Sequence, residues 1–174
     1  MEHSPSELVK LVQASDPVGQ VRVVAIDGGA AAGKSTMAAA LSQALPASAV
    51  LHLDDLLDGW SGQFDYRERL HAEVLQPLAT GRPGRYRRYD WLAGRFAEAV
   101  DVPVPQTLLV EGVSAIWGCG DHLALGIFLD RPRAIRLQRW VERDGPVQPE
   151  WLRWLDAEDA FFDSHPVPPA TVLV

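Results

Sequence analysis

A glycine- and alanine-rich segment near the N-terminus carries the clearest chemical pattern in this sequence. Residues 28–36 read Gly-Gly-Ala-Ala-Ala-Gly-Lys-Ser-Thr, which matches the Gly-x-x-x-x-Gly-Lys-Ser/Thr pattern of a phosphate-binding loop. Small residues let backbone N–H groups curl around phosphate oxygens, and the N-terminus of a following helix adds a favourable dipole. We expect Lys34 to reach the β- and γ-phosphates of a nucleoside triphosphate and the Ser35 hydroxyl to bind Mg²⁺. The predicted phosphate site comprises Gly28, Gly29, Ala30, Ala31, Ala32, Gly33, Lys34, Ser35 and Thr36.

The segments on either side of this loop are typical of a strand and a helix. Val21–Ile26 is short, apolar and rich in β-branched residues, as expected of a buried strand. From Ser35 to Leu45 the composition changes to good helix formers, and Pro46 ends the pattern. A turn that merely joins a strand to a helix would not require the Gly-Lys-Ser-Thr run or its spacing from the first glycine. The context therefore favours phosphate binding over a plain turn.

Further apolar runs alternate with segments of helical periodicity along the chain. Apolar residues recur at helical spacing in Tyr66–Thr80, and Ala134–Arg143 is a further predicted helix. Arg82–Arg88 is rich in arginine and indicates an exposed loop or a short hairpin. This alternation predicts an α/β fold of the P-loop NTPase class, with three α/β/α layers and a parallel, five-stranded sheet. The predicted strands are Val21–Ile26, Val50–Leu53, Thr107–Val110, Ala124–Leu129 and Ala170–Val174.

Length and composition favour one domain in a reducing compartment. The 174 residues are 47% hydrophobic, so we expect a single domain over residues 1–174, with residues 1–20 as an N-terminal helix or extension. A formal net charge of -7 predicts no nucleic-acid or anionic-membrane partner. There is no apolar run of about 18 residues, and the one cysteine, Cys119, cannot form an intrachain disulfide. These features predict a cytoplasmic protein and leave a homo-oligomer open.

Acidic residues stand at the C-terminal ends of four predicted strands, as Asp27, Asp54, Glu111 and Asp130. In a parallel sheet such ends gather around the ligand. An unpaired carboxylate is costly to bury, so Glu111 is expected either to help hold the metal or to form a structural ion pair. Asp54 could take a proton from an acceptor hydroxyl or hold Mg²⁺ through water. Its neighbour Asp55 is the better candidate for capping a helix.

Over most of residues 21–144 the chain resembles the uridine kinase and phosphoribulokinase branch of P-loop kinases. Several features beyond the phosphate loop follow in the order found in uridine-cytidine kinases. An aspartate follows the second strand, and Phe-Asp precedes a helix. A glycine is followed eight residues later by Tyr-Asp and an aromatic residue, and a strand ends in Glu-Gly before an arginine-bearing helix. In this sequence these features are Asp54-Asp55, Phe64-Asp65, Gly81 with Tyr89-Asp90-Trp91, Leu108–Gly112 and Arg136–Asp144.

The resemblance implies an ATP-dependent kinase that transfers the γ-phosphate to a hydroxyl of a small metabolite, first of all a nucleoside. It implies ATP and Mg²⁺ as cofactors, with Asp54 as the catalytic base and Glu111 helping to place the metal. The implied catalytic residues are Asp54, Lys34, Arg136 and Arg139. Besides the loop, the implied nucleotide contacts are Arg139 and Arg143. The implied acceptor contacts are Asp54, Asp65, Tyr89, Asp90 and Trp91, and the implied metal ligands are Ser35, Glu111 and Asp54.

The arginines of the last matching segment are spaced to act together. Arg136, Arg139 and Arg143 share one face of a helix. The resemblance implies that residues 134–146 form a helical lid whose arginines meet phosphate oxygens. A solvated basic face is the alternative. The tryptophans with the spacing of helix packing positions, to which we assign no chemistry, are Trp140, Trp151 and Trp154.

Three departures from the family bear on the acceptor and the lid. Gly94 stands near the position of the base-reading histidine of uridine-cytidine kinases, and Leu56-Leu57 replaces their aromatic pair. Gly145-Pro146-Val147 replaces the Arg-Gly-Arg that follows the lid helix. Two alternatives to a nucleoside kinase therefore stay open. One is an antibiotic or other metabolite O-phosphotransferase, and the other is a nucleotide-dependent switch or ATPase without a small acceptor.

Overall fold

A parallel β-sheet forms the centre of the computed structural model, which describes residues 3–174. The strands are β1 (Arg22–Asp27), β2 (Ser48–His52), β3 (Gly84–Asp90), β4 (Arg95–Val102), β5 (Thr107–Glu111), β6 (Leu123–Phe128) and β7 (Val172–Leu173). Five of them pair in parallel in the order β2-β5-β1-β6-β7, and β3 and β4 form a separate antiparallel hairpin. The central strand β1 therefore ends between β5 and β6, where the phosphate-loop segment begins.

Helices surround this sheet. The helix α1 (Pro5–Ala14) begins with a capping box, in which the side chains of Ser4 and Glu7 each bond the other residue's backbone N–H. The other helices are α2 (Lys34–Ala44), α3 (Arg67–Arg69), a π-helical stretch (Leu70–Leu75), α4 (Gln76–Ala79), α5 (Ala115–Cys119), α6 (Arg133–Asp144) and α7 (Pro149–Ser164), with short 3₁₀ segments at Leu53–Leu56 and Gly120–His122. Together α3, the π-helical stretch and α4 form one continuous helical segment over residues 67–79, where the sequence predicted a single helix over Tyr66–Thr80.

Alternate residues of β1 feed two hydrophobic cores on opposite faces of the sheet. Val24 and Ile26 belong to the core that contains the buried residues of α1 and α2. Val23 and Ala25 belong to the core that contains the buried residues of the 67–79 segment, α6 and α7. Successive side chains of a strand point to opposite faces, so the interior positions of a strand covered on both sides are apolar, as Val23–Ile26 are in β1. The predicted three-layer α/β/α fold with a five-stranded parallel sheet is confirmed.

Besides the short helix α5, two elements were not predicted from the sequence. The first is β4, which pairs with β3 and has mostly exposed or half-buried residues, so it lacks the apolar run of a buried strand. The second is α7, whose buried residues pack in the core beside α6. The first two positions of the predicted N-terminal segment, residues 1–20, lie outside the described residues. Within residues 3–174 no helix is long and apolar enough to cross a membrane.

Gly28, at the start of the loop, is a position where a side chain does not fit. Its φ is +133°, and an added Cβ would lie 2.5 Å from the carbonyl oxygen of Leu129. That oxygen belongs to backbone directly after β6, so Gly28→Ala is expected to lower the free energy of unfolding by about 2–3 kcal/mol. Thermal unfolding should show a loss of only about 1 kcal/mol for the control Gly94→Ala, because its φ is +63° with nothing within 4 Å of the added Cβ. Equal losses in the two variants would contradict the steric argument.

Candidate nucleotide and acceptor site

The phosphate-loop segment leaves β1 through Asp27, whose side chain is fully buried. Its carboxylate accepts hydrogen bonds from the backbone N–H groups of Gly28 (2.6 Å), Ser114 (2.8 Å) and Ile116 (2.9 Å). Burial raises the pKa of Asp27 to about 7, although these three donors favour the ionised form. Asp27 thus fixes the start of the loop to the segment that follows β5.

The loop ends at a left-handed glycine that turns the chain into α2. Gly33 has a φ of +107° and is the residue directly before this helix. The first backbone N–H groups of α2 have no partner inside the helix, so they are available to an anion at the loop. The buried Lys34 ammonium donates to the carbonyl oxygen of Gly29 at 2.9 Å. Its positive charge therefore lies against the loop, on the side where phosphates would bind.

A cavity of about 1040 Å³ opens in front of the loop. Residues 30–36 line it, whereas Gly28 and Gly29 lie outside its lining. Its other walls include side chains from the ends of β2 and β5 and from α6 and α7. Ligand sites usually enclose about 300–1,000 Å³. This cavity is therefore large enough for a nucleotide together with a second small molecule.

Ser35 and Glu111 lie side by side in the cavity wall. The Ser35 hydroxyl donates to Glu111 Oε1 at 3.0 Å, and His52 Nδ1 contacts the same oxygen at 2.5 Å. Burial by itself would raise the pKa of Glu111, but the contacts with His52 and Ser35 and the nearby Lys34 charge outweigh it and hold this pKa below its usual range. The same hydrogen bond raises the pKa of His52. Glu111 is therefore an ionised carboxylate, paired with a histidine that the sequence did not single out.

These oxygen atoms fit a magnesium ion. A hydroxyl and an ionised carboxylate are hard ligands of the kind that Mg²⁺ prefers, and a Mg²⁺ site that also uses phosphate oxygens and water needs few protein ligands. Among residues 3–174 no group of three or more His, Cys, Asp or Glu side chains is arranged to hold a metal ion. Ser35 and Glu111 are therefore placed to hold Mg²⁺ together with nucleotide phosphates, and Asp54, the third predicted ligand, lines the same cavity.

Asp54 lies just after β2, in the cavity wall. Its side chain faces the cavity, where solvent reaches it, although protein atoms enclose it on the other sides. This enclosure raises the pKa of Asp54, and the Glu111 and Asp55 charges add to the rise, whereas the Lys34 ammonium opposes it. Asp55 points elsewhere and accepts a hydrogen bond from the Tyr86 hydroxyl at 3.0 Å. Of the two adjacent aspartates, Asp54 is the one that faces the cavity.

The three arginines predicted on one helix face take two different positions. Arg139 and Arg143 line the cavity. Arg136 is buried behind the loop, where its guanidinium donates to Glu158 at 2.7 Å and to the carbonyl oxygen of Ala30 at 3.4 Å. The structure therefore does not bring Arg136 to the cavity with the other two. The reason is that the Glu158 and Asp159 carboxylates of α7 bind its guanidinium. Arg136 therefore contacts the loop from the protein interior and not from the cavity.

Glu158, a residue that sequence reasoning missed, joins α7 to the phosphate loop. Its fully buried carboxylate accepts hydrogen bonds from the Ala30 backbone N–H (2.8 Å), the Arg136 guanidinium (2.7 Å) and the Trp154 indole N–H (2.7 Å). Burial raises the pKa of Glu158, and the nearby positive charges of Lys34 and Arg136 oppose this. The loop partner lies 128 residues away in the chain. Its spacing of four residues from Trp154 and three from Leu155 puts Glu158 on the buried face of α7, and this spacing is the signal that could have identified it.

Five of the six tryptophans line the cavity and form what we call the tryptophan wall. Trp91 donates its indole N–H to the carbonyl oxygen of Asp54 at 3.1 Å, so the wall begins beside Asp54. The residues predicted to serve helix packing do pack, since Trp140 stacks on Trp151 with ring centroids 4.8 Å apart. They also face the cavity, which that prediction did not include. The tryptophan wall comprises Trp60, Trp91, Trp140, Trp151 and Trp154.

The structure brings two of the five predicted acceptor residues to the cavity, Asp54 and Trp91. Asp65 is exposed and lies outside the cavity lining. Tyr89 is buried and packs edge-to-face on Trp91 at 5.2 Å, so it supports the wall from behind. Asp90 accepts hydrogen bonds from two backbone N–H groups in the turn of the β3–β4 hairpin, and these contacts lower its pKa. Tyr89 therefore supports the wall and Asp90 fixes the hairpin turn next to Trp91, whereas the structure does not bring Asp65 to the cavity.

A strand, a phosphate loop and a helix at the carboxyl edge of a parallel five-stranded sheet define the class of P-loop α/β proteins. Among solved structures, a possible uridine kinase from Bacillus stearothermophilus aligns with a TM-score of 0.73 and 21% identity over 97% of this chain and 96% of its own. A candidate fructose transport system kinase from Silicibacter sp. TM1040 aligns with a TM-score of 0.70 and 20% identity over 98% of this chain and 99% of its own. The likeness shows that this chain has the P-loop kinase fold of these proteins.

A gluconokinase from Sinorhizobium meliloti 1021 is more distant, with a TM-score of 0.53 and 13% identity over 90% of this chain and 83% of its own. No protein-family model matches the sequence. No curated protein matches it either. The fold is therefore shared with proteins that are named as kinases of different compounds.

Proposed function

We propose that this protein is an ATP- and Mg²⁺-dependent kinase that transfers the γ-phosphate to a hydroxyl of a small metabolite. The observation that carries the proposal is that the phosphate loop and the Asp54 carboxylate line one cavity. A phosphate donor and a proton acceptor that share one cavity can act on the same hydroxyl. The kinase names of the proteins with similar folds support the reaction class. The implied acceptor is a nucleoside, as in the uridine kinase family, or another small hydroxyl compound.

Each of the cavity residues has a separate role in the proposed reaction. The acceptor oxygen forms a bond to the γ-phosphorus while the bond to the bridging oxygen of the β-phosphate breaks, and ADP leaves with that electron pair. Asp54 accepts the hydroxyl proton. Lys34 and the cavity arginines Arg139 and Arg143 stabilise the negative charge of the phosphoryl group in transit. When bound at Ser35 and Glu111, Mg²⁺ supplies further compensation of that charge.

A nucleotide-dependent switch or ATPase without a small acceptor is the competing proposal. It would use the same loop but would not need an apolar compartment beyond it. The tryptophan wall, which begins at Asp54, favours a small acceptor instead, because a concave apolar surface with few polar groups is typical of a small-molecule site. An antibiotic or other metabolite O-phosphotransferase would use the same loop and the same Asp54, and would differ only in the acceptor.

ADP release from ATP and Mg²⁺ is the measurement that tests the proposal. We expect stimulation by at least one member of a panel of nucleosides, sugars, pantothenate and aminoalcohol antibiotics, and no stimulation in Lys34→Ala. The matched control is Lys10→Ala, which removes a lysine of α1 that does not line the cavity and should keep the activity. Slow ADP release that no acceptor stimulates would favour the switch or ATPase.

A further inference from the structure

One oxygen of the Glu111 carboxylate is held by two side chains, and the other oxygen is not. Oε1 accepts a hydrogen bond from the Ser35 hydroxyl at 3.0 Å and contacts His52 Nδ1 at 2.5 Å. Within residues 3–174 no donor bonds Oε2, and this oxygen is not among the buried atoms that lack a partner. Oε2 therefore keeps exposed surface. Because Glu111 lines the cavity, that surface is available to a cation bound there.

The register of the sheet places His52 beside Glu111. His52 is the last residue of β2 and Glu111 is the last residue of β5, and the two residues pair directly across these parallel strands. Side chains at paired positions of neighbouring strands lie on the same face of the sheet, with the strands about 4.8 Å apart. The two residues are 59 positions apart in the chain, but each stands on a strand and not on a loop. The sheet therefore fixes where His52 meets the carboxylate.

The hydrogens of this cluster follow from the charge of Glu111. An ionised carboxylate can only accept hydrogen bonds, so the Ser35 hydroxyl and His52 Nδ1 both donate to Oε1. A hydroxyl that donates its hydrogen keeps its oxygen lone pairs, so Ser35 Oγ can bind Mg²⁺ without losing its bond to Glu111. Nδ1 carries a hydrogen in one neutral tautomer of histidine as well as in the charged ring. The bond from His52 therefore forms in either charge state.

We propose that His52 is a positioning residue for the metal ion that the nucleotide brings into the cavity. By holding Oε1, it directs Oε2 of Glu111 toward the cavity. His52 itself does not line the cavity, and 49% of its side-chain surface is exposed, so it acts through Glu111 and does not touch the reacting atoms. Groups that bond a metal ligand from outside commonly account for about ten- to hundredfold in metal affinity. The presence of Mg²⁺ beside Glu111 rests on the proposed function, whereas the hydrogen bond does not.

A purely structural ion pair between β2 and β5 is the alternative. The backbones of the two strands already pair at five successive positions over Ser48–His52. A half-exposed histidine adds little to stability there, because solvent screens its interaction with the carboxylate. The positioning role thus predicts a change in metal affinity with little change in stability, and the structural role predicts the opposite.

Electron paramagnetic resonance of Mn²⁺ tests the proposal, because Mn²⁺ takes the same oxygen ligands as Mg²⁺ and its free ion gives a measurable signal. The protein is kept in excess over adenylyl imidodiphosphate, an ATP analogue that does not transfer its γ-phosphate, so that the metal meets only bound nucleotide. We expect His52→Ala to raise the Mn²⁺ dissociation constant about ten- to hundredfold. His52→Asn offers an amide N–H near the position of Nδ1 and should keep this constant within about threefold of the original value. Calorimetry in EDTA should give the same nucleotide affinity for both variants, because the phosphate loop is unchanged.

His122→Ala is the matched control for these substitutions. His122 neither lines the cavity nor bonds Glu111, and its ring packs edge-to-face on His71 with centroids 5.3 Å apart. This variant should bind Mn²⁺ and nucleotide as the unmodified protein does. Thermal unfolding of all three variants separates a loss of metal affinity from a loss of structure, and both His52 variants should keep the unfolding temperature of the unmodified protein.

Failure of this proposal can be told apart from failure of the kinase proposal. An unchanged Mn²⁺ dissociation constant in His52→Ala overturns the positioning role. Equal weakening in His52→Ala and His52→Asn also overturns it, because the hydrogen bond would not be the cause. Weakening in His52→Ala that His52→Asn restores supports the role even if no acceptor is phosphorylated. Absence of Mn²⁺ binding to the unmodified nucleotide complex contradicts the metal site of the proposed function and overturns the role of His52 with it.

Discussion

Asp54→Asn is expected to lower the rate of phosphoryl transfer by about a hundred- to ten-thousandfold, the contribution that a positioned general base usually makes. The asparagine keeps the size of the side chain but cannot take the proton of the acceptor hydroxyl. The phosphate loop remains complete in this variant, so nucleotide affinity should stay within about threefold of the original value. The measurement is kcat from ADP release with the acceptor found in the panel, together with nucleotide affinity from calorimetry.

Asp55→Asn is the matched control for this substitution. Asp55 is adjacent in sequence and carries the same group, but its carboxylate accepts a hydrogen bond from the Tyr86 hydroxyl and does not line the cavity. Its replacement should change kcat by less than about tenfold. A reversal, with Asp55→Asn inactive and Asp54→Asn active, would assign the base to Asp55. Full activity in both variants would remove the carboxylate from the mechanism.

Glu158→Ala is expected to lower the free energy of unfolding by about 3–5 kcal/mol. Removal of the carboxylate leaves the Arg136 guanidinium, which has only 6% of its side-chain surface exposed, with one fewer anionic partner. It also leaves the Ala30 N–H and the Trp154 indole N–H without their acceptor. Buried donors without partners add to the cost of the unpaired charge. Urea unfolding followed by circular dichroism measures the loss.

Glu150→Ala, on the same helix, provides the comparison. Glu150 pairs with Arg153 three residues further along, with 41% and 71% of their side-chain surfaces exposed. Such a pair is screened by solvent, so its loss should change stability by less than about 1 kcal/mol. If Glu158→Ala and Glu150→Ala lowered the free energy of unfolding equally, the buried network around Glu158 would not be a significant source of stability.

The sheet could be predicted from the sequence because its strands are covered on both faces. A strand such as β5, buried at every position, has an apolar interior, here Leu108–Val110, and is therefore visible in the sequence. The β4 strand lies in a hairpin outside the main sheet, with mostly exposed or half-buried residues, and gives no such signal. The phosphate loop was equally visible, because its function imposes glycine, lysine and serine at fixed spacing.

The remainder of the site depends on contacts between distant parts of the chain. The sequence placed Arg136 on the same helix face as Arg139 and Arg143. Only its ion pairs with Glu158 and Asp159 of α7 explain why its guanidinium turns away from the cavity. The tryptophan wall combines residues from a loop, a hairpin turn and two helices, which no local period connects. The count of six tryptophans in 174 residues was a usable signal for an aromatic site. The number of tryptophans does not indicate which of the rings lie together in the folded protein.

The carboxylate of Glu158 is shared between the loop backbone at Ala30 and the indole of Trp154. A nucleotide that shifts the Ala30 backbone would also change the hydrogen bond that holds the Trp154 indole in the tryptophan wall. Binding equilibria linked in this way are reciprocal: the factor by which nucleotide alters acceptor affinity equals the factor by which acceptor alters nucleotide affinity. The two substrates should accordingly bind with interdependent dissociation constants, and the cooperativity between them should be independent of their order of addition.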